Sequence, residues 1–195
     1  MSVPNLPINR LNPFGQQIDQ LDAAVTALQQ LPKIATFYRT GNQAFPPSPP
    51  GGNVFIGWTN VAAGSDTTHC QINGSNDALI DILETGWFQV ELNIAIDWTN
   101  SDYVSDDHFV SSIDASGQGL VPITYFFTPD PTPGSRAARF FIQSFATIFL
   151  LAGTQINGRV QVAFTSVGSS APVINGVGTL PDYNTFLTVS LVKPT

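Results

Sequence analysis

The stretch that decides the fold runs from residue 87 to residue 98 and reads WFQVELNIAIDW. Its even-numbered positions are all apolar, namely Phe88, Val90, Leu92, Ile94, Ile96 and Trp98. Its odd-numbered positions are mostly polar and include Gln89, Glu91, Asn93 and Asp97. Because successive side chains of a β-strand point to opposite faces of its sheet, this alternation predicts an antiparallel strand with one buried face and one polar face.

Further short runs of β-branched and aromatic residues lie on both sides of this stretch. They are bounded by Gly, Pro, Asn and Asp, which is typical of strands separated by turns. The runs are residues 53–58, 78–83, 121–127, 139–149, 155–165 and 185–192. Since no helical period intervenes between them, the sequence predicts an all-β, antiparallel fold, which would be a sandwich, a barrel or a jelly roll.

A short helix is predicted before the strands. Asn12 and Pro13 form a typical helix start, and Pro32 ends the pattern. Between them the apolar residues recur at alternating steps of three and four, the spacing of a heptad. This stripe consists of Leu11, Phe14, Ile18, Leu21, Val25 and Leu28. Because a helix of this length is barely stable alone, it needs a partner, either the β-domain of its own chain or further copies of itself.

These patterns divide the chain into two predicted parts. Residues 1–35 form an N-terminal anchoring segment with the helix, and residues 36–195 form the β-domain, which a Pro/Gly-rich loop interrupts at 45–53. The order of branched and unbranched residues in the heptad, with Ile18 and Val25 alternating with Leu21 and Leu28, favours dimers in long parallel coils. The helix therefore indicates association without fixing the number of copies.

The composition excludes several classes of function. Only 11% of the 195 residues are charged and the net charge is −7, so a nucleic-acid partner, which needs a basic patch, is not expected. The single cysteine, Cys70, excludes an intramolecular disulfide. The N-terminus lacks the pattern of a secretory signal. The most apolar stretch, residues 140–151, is too short to span a bilayer. We therefore expect synthesis in a cytoplasm and no membrane insertion.

Few residues offer catalytic chemistry. His69 and His108 are the two imidazoles, and Cys70 follows the first of them directly. Neighbouring residues of a strand point to opposite faces, which argues against a His69–Cys70 dyad. No nucleophile elbow, metalloprotease motif or phosphate-binding glycine loop is present. The sequence predicts a protein that is not an enzyme and needs no cofactor.

One polar region is a candidate ligand loop. Acidic and amide residues are dense from Asp97 to His108, with Asp114 shortly after, and a loop is predicted over residues 99–115. The residues that would contact a ligand are Trp98, Asp102, Tyr103, Asp106 and Asp107. Carboxylate oxygens could ligate calcium, and the two aromatic rings could form a sugar-binding patch. An ordinary solvated loop between two strands is the simpler interpretation.

Three stretches of the β-domain resemble the superfamily of tumour necrosis factor and complement globular heads. Residues 82–90, ILETGWFQV, are similar to the family's turn that ends in Gly and an aromatic residue before a long central strand. In this motif Gly86 is expected to supply a turn conformation that other residues resist. Residues 150–160, LLAGTQINGRV, are similar to the turn that opens the penultimate strand, and residues 185–191, TFLTVSL, to the closing strand.

The resemblance implies a two-sheet jelly roll that assembles as a homotrimer, with an apolar and aromatic strand face buried between subunits. An N-terminal helical stalk before such a head also resembles bacteriophage head decorations, fibres and small tail proteins. The function expected from this resemblance is a structural virion component, anchored by its N-terminus to other capsid or tail proteins and displaying its head. The alternative is a module that binds a host receptor or carbohydrate.

Overall fold

The computed structural model describes residues 17–22, 32–45, 53–98, 108–116, 119–127, 138–163, 173–176 and 184–194. The chain divides into two compact units, Met1–Pro32 and Lys33–Thr195. In the first unit, residues 17–22 are helical. In the second unit the first strand begins at Lys33, so residues 33–35, which the sequence patterns assigned to the N-terminal segment, belong to the β-domain.

The β-domain is built from thirteen described strands. They are β1 (Lys33–Tyr38), β2 (Gln43–Ala44), β3 (Asn53–Phe55), β4 (Asn60–Val61), β5 (Cys70–Ile72), β6 (Ile80–Ile82), β7 (Gly86–Trp98), β8 (His108–Ala115), β9 (Gly119–Phe127), β10 (Ala138–Leu150), β11 (Gln155–Ala163), β12 (Val173–Ile174) and β13 (Phe186–Pro194). Among the described residues of the whole chain, no helix is long and apolar enough to cross a bilayer.

These strands form two sheets. A seven-stranded sheet has the order β2-β12-β7-β13-β1-β4, and β10 pairs with the free side of β7. A six-stranded sheet has the order β5-β6-β11-β8-β9, and β3 also pairs with β11. The chain passes repeatedly from one sheet to the other. Strands β1 and β13 are far apart in sequence, but they are antiparallel neighbours from Lys33↔Leu191 to Tyr38↔Phe186. This arrangement is a jelly roll, which confirms the predicted all-β fold class.

The strand over residues 87–98 is the central element of the seven-stranded sheet. It begins one residue earlier than predicted, at Gly86, and pairs with β10 along its whole length, from Gly86↔Leu150 to Trp98↔Ala138. Phe88, Val90, Leu92, Ile94 and Ile96 are fully buried, as the alternation predicted. Their burial, worth about 1.5–3 kcal/mol for each large apolar side chain, fixes which face of β7 points into the core.

The core lies between the two sheets. Its largest buried side chains come from both of them and include Phe37 and Phe88 from the seven-stranded sheet and Phe109 from the six-stranded sheet. A buried polar contact crosses it, because the Oγ atoms of Ser111 in β8 and Ser144 in β10 lie 2.5 Å apart. Two hydroxyls that satisfy each other can be buried at little cost, and here they join the two layers.

Strand β8 corrects the loop predicted over residues 99–115. Residues 108–115 form a strand that pairs with β11 and with β9. The sequence HFVSSIDA did not predict this strand, because Ser111 and Ser112 break the apolar pattern although both are buried. Residues 99–107 lie outside the described residues.

Gly86 has a different role from the one that its motif implied. The described glycines with positive φ are Gly41, Gly64 and Gly153, so Gly86 does not supply a left-handed turn. It allows close approach of strands instead, since a Cβ at this position would lie 2.6 Å from the carbonyl oxygen of Lys193. Gly153, in the second motif, does adopt a turn conformation, with φ +90°.

We expect Gly86→Ala to destabilise the β-domain by about 1–3 kcal/mol, because the obstructing atom is backbone of β13 and can move only if the β7–β13 pairing shifts. The denaturant midpoint of the purified protein measures this effect. Gly74→Ala is the matched control, because its Cβ would meet no atom within 4 Å. Equal stability of the two variants would show that close approach does not explain Gly86.

Candidate self-association surface

Strand β10 is apolar on both of its faces. Ile142 and Ala146 point into the core and are at most 5% exposed. On the opposite face Phe141 and Phe145 are 43% and 56% exposed. Large apolar side chains on both faces are typical of a strand that is covered on both sides, whereas Phe141 and Phe145 on the outer face of β10 keep about half of their surface exposed.

A neighbouring aromatic pair extends this apolar face onto β7. Phe149 lies opposite Trp87 in the register of the two strands, and their ring centroids are 5.6 Å apart at an interplanar angle of 64°. This is a favourable edge-to-face arrangement. Trp87 remains 46% exposed. We call the surface formed by Trp87, Phe141, Phe145 and Phe149 the aromatic face of the seven-stranded sheet.

The aromatic face carries little charge. Glu91 lies opposite Phe145 on one side and opposite Thr188 on the other, and the next outward positions of β7 and β10 are Gln89 and Gln143. The described ion pair of the chain, Lys33–Glu84, involves neither β10 nor Glu91. Covering this face therefore requires few charged groups to lose water, and any partner must accommodate Glu91 and Lys193, which lies opposite Trp87 in β13.

The edge of the sheet lies beside the aromatic face. Among the described strands β7 is the only partner of β10, and β10 is 13 residues long. A long, apolar edge strand readily pairs or packs with another chain unless it is covered. Exposed, contiguous aromatic side chains mark protein interaction sites. The edge and the aromatic face together are therefore suited to burial against another protein chain.

The predicted helix stripe is described only in part. Ile18 and Leu21 lie within helical residues 17–22 and are 59% and 64% exposed. Leu11, Phe14, Val25 and Leu28 lie outside the described residues. The described part of the helix thus presents exposed apolar side chains, and the partner of the helix stays a prediction.

His69 and Cys70 are core residues of the β-domain. The Nε2 atom of His69 donates to the carbonyl oxygen of Val189 at 3.0 Å, and its ring stacks on Phe88 with centroids 6.1 Å apart. Both His69 and Cys70 are fully buried. His69 directly precedes β5 of the six-stranded sheet, and its hydrogen bond thus connects this sheet to β13 of the seven-stranded sheet.

Just before His69, hydrogen bonds from Thr68 hold the pKa of the Asp66 carboxyl below its usual value.

Burial raises the pKa of the Cys70 thiol to about 12, because the thiolate would lose its water, and the carboxylate of Asp66 adds to the shift. We therefore expect the native protein to resist a thiol reagent such as Ellman's reagent at mildly alkaline pH, and the unfolded protein in guanidinium to react rapidly. Rapid labelling of the native protein would contradict this burial.

The candidate ligand loop is mostly outside the described residues. Asp102, Tyr103, Asp106 and Asp107 are not described, and of Trp98 only the backbone position at the end of β7 is. Two acidic residues that flank the loop are separated by the fold, because Asp97 lies in the seven-stranded sheet and Asp114 in the six-stranded sheet. The described residues contain no group of three or more His, Cys, Asp or Glu side chains arranged to hold a metal ion.

The resemblance implied an apolar and aromatic strand face between subunits, but the sequence did not identify the residues of the aromatic face. The available signal was the spacing of Phe141, Phe145 and Phe149, which places three aromatic residues on one face of a strand. The other face of the same strand, with Ile142, is also apolar, so the sequence alone could not show which face is the core. Only the position of the second sheet decides this.

Comparison with solved structures confirms the fold. No protein-family profile matches the sequence, and no curated protein sequence is significantly similar to it. Eiger, a tumour necrosis factor (TNF) of S. frugiperda, aligns over 83% of this chain and 93% of its own, with a TM-score of 0.50 and 15% identity. Murine APRIL aligns over 82% of this chain and 98% of its own, with a TM-score of 0.47 and 12% identity. The alignment with Eiger and the order of the strands show a TNF-like jelly-roll fold.

Proposed function

We propose that this protein is a self-associating structural protein, which forms a homotrimer and is a surface component of a bacteriophage particle. The observation that carries the proposal is the exposure of the aromatic face formed by β7 and β10. This surface has the composition of the centre of a protein interface, rich in aromatic residues and poor in charge. The number of three copies is what the resemblance to the TNF superfamily implies.

The N-terminal segment provides the attachment in this proposal. The apolar stripe of the helix, of which Ile18 and Leu21 are exposed, would pack against the same helix of other copies or against a capsid or tail protein. The β-domain would then face outwards. No step of this function requires catalysis, since association and shape alone perform it.

The mass of the full chain in solution tests the self-association. Sedimentation equilibrium should give three times the chain mass of 20.9 kDa, and the value should persist on dilution to micromolar concentrations. A mass equal to that of one chain at all concentrations would overturn the proposal, and a stable dimer would overturn the threefold number.

The role in a particle needs a separate measurement. The bacteriophage whose genome encodes this chain should be grown and its particles purified. Quantitative mass spectrometry should find the chain in these particles at a fixed copy number. Immunogold labelling of intact particles should then locate the β-domain at the surface. If the protein is found only in the lysate and not on purified particles, the virion role is wrong, whatever its state of association.

A further inference from the structure

The outward face of the six-stranded sheet carries planar polar side chains along β11. The alternation of buried residues directs Ile156, Gly158 and Val160 into the core. Gln155, Asn157, Arg159 and Gln161 therefore share the opposite face. All four are only partly exposed, and consecutive members of such a row are spaced by two strand residues, about 6.6–6.8 Å.

One end of this row is fixed by a network of hydrogen bonds. Asp81 of β6 lies opposite Gln155 and accepts a hydrogen bond from its Nε2 at 2.9 Å. Asn73 Nδ2 donates to both carboxylate oxygens of Asp81 at 3.0 Å. Because amide donors occupy the carboxylate, the three side chains are held in place before any ligand arrives.

The middle of the row contains an unsatisfied acceptor. The Oδ1 atom of Asn157 is buried and has no hydrogen-bond partner. Such an atom carries a desolvation cost of about 1–3 kcal/mol, which a ligand donor would remove once the Asn157 side chain turns its amide oxygen towards the surface. Opposite Asn157, in β8, lies Asp114, which adds a carboxylate acceptor at the same level of the sheet.

An aromatic ring lies beside Arg159, the next residue of the row. Phe55 of β3 lies opposite Arg159 and is 44% exposed. On the other side, Arg159 Nε donates to Ser112 Oγ at 3.2 Å, which holds the guanidinium plane against the sheet. A flat apolar ring thus stands beside oriented polar groups.

We propose that this surface, formed by Asp81, Asn157, Arg159, Asp114, Gln155 and Phe55, is a binding site for a neutral glycan. A pyranose ring presents an apolar face that can stack on Phe55 and a rim of hydroxyls. Each hydroxyl can both donate and accept, so it can satisfy Asn157 Oδ1 and Asp114 while accepting from amide or guanidinium groups. The site contains two carboxylates and one guanidinium, and the whole chain has a net charge of −7. Sialylated and sulfated glycans are therefore disfavoured, because their negative charges would be repelled.

This site is separate from the aromatic face, because the two surfaces lie on different sheets. Of the loop predicted over residues 99–115, this site uses only Asp114, which lies in β8. The proposal does not depend on the self-association proposed above. It would, however, give an assembly of several copies several parallel sites and hence a higher avidity for a host surface.

Calorimetric titration of the full chain with cellotriose, maltotriose, mannotriose and triacetylchitotriose tests the proposal, with sialyllactose and a heparin disaccharide as anionic comparisons. We expect at least one neutral trisaccharide to bind. Phe55→Ala and Asn157→Ala should each weaken it about tenfold, which corresponds to about 1.4 kcal/mol. Leu151→Ala, which removes an exposed apolar side chain from a turn outside the site, should bind as the parent does.

Three results would overturn the proposal. They are no binding of any neutral trisaccharide at millimolar concentration, binding that survives both substitutions, and equal or tighter binding of the anionic sugars. Phe145→Asp separates this proposal from self-association: the affinity of each site should be unchanged in that variant. Conversely, Asn157→Ala should leave the sedimentation mass unchanged. Circular dichroism of each variant checks that a loss of binding is not a loss of fold.

Discussion

Replacing Phe145 with aspartate is expected to convert the assembled protein into a folded monomer. Phe145 is the most exposed member of the aromatic face, at 56%, and it lies opposite Glu91 in the register of β10 and β7. In the single chain an aspartate at this position faces water. In an assembly that buries the aromatic face it would place a second carboxylate beside Glu91 in a region without water.

The size of this effect follows from the place of aromatic residues in interfaces. Truncation of a central aromatic side chain costs at least about 2 kcal/mol, or roughly 30-fold in Kd, and a buried, unpaired charge adds several kcal/mol more. Since a closed trimer contains three equivalent interfaces, the loss acts at each of them. Sedimentation equilibrium at micromolar concentration should therefore show the mass of one chain.

Phe55→Asp is the matched control for Phe145→Asp. It also replaces an exposed phenylalanine on a sheet face, 44% exposed, but in the other sheet, so it should keep the mass of the assembly. A multimeric Phe145→Asp variant would show that the aromatic face is not the interface. Dissociation of both variants would indicate a general effect of added negative charge.

The second large effect is expected in the core, where Trp58→Ala should lower the stability by about 3–5 kcal/mol. Trp58 is fully buried, and its Cζ2 would lie 3.0 Å from a Cβ at position 158, so Gly158 leaves the space that the ring fills. The Nε1 atom of Trp58 has no hydrogen-bond partner, and removing this unsatisfied donor recovers part of the loss. We therefore expect the lower end of the range.

For a chain of this length, a loss of about 3 kcal/mol corresponds to a fall in Tm of roughly 6–12 °C. The Tm should be measured in proteins that also carry Phe145→Asp, because association does not contribute to the stability of a monomer. Trp87→Ala in the same background is the control, because it removes the same ring from a site that is 46% exposed. If the control costs as much as Trp58→Ala, burial in the core does not explain the effect.

The strands that the sequence predicted well are those with an uninterrupted period of two. Strand β7 is the clearest, and β13 follows the same rule, with Leu187, Val189 and Leu191 buried. Strand β1 was not predicted, because Lys33 and Ile34 follow Pro32 and read as the tail of the helical segment. In the structure β1 depends on distant residues, since its partners are β13 and β4.

The candidate sites were less predictable than the strands. The aromatic face requires knowing which side of β10 meets the second sheet, which no local pattern contains. The proposed glycan site collects Asp81, Asn157 and Phe55 from three strands that become neighbours only through the sheet order. Local motifs identified one glycine turn correctly, at Gly153, but could not distinguish a turn from a close approach at Gly86.

The pairing of β1 with β13 has a consequence for biosynthesis. Thr36 and Thr188, whose hydroxyl oxygens lie 3.1 Å apart, are separated by 152 positions in the chain. The first strand therefore leaves the ribosome long before its principal partner is synthesised. Strand β7 pairs with β13 along most of its own length, so it is also synthesised long before this partner. Contacts of such long sequence separation make folding slow. The nascent chain must keep its apolar strands from aggregating until translation is almost complete, so chaperone supply and growth temperature should govern the yield of soluble protein.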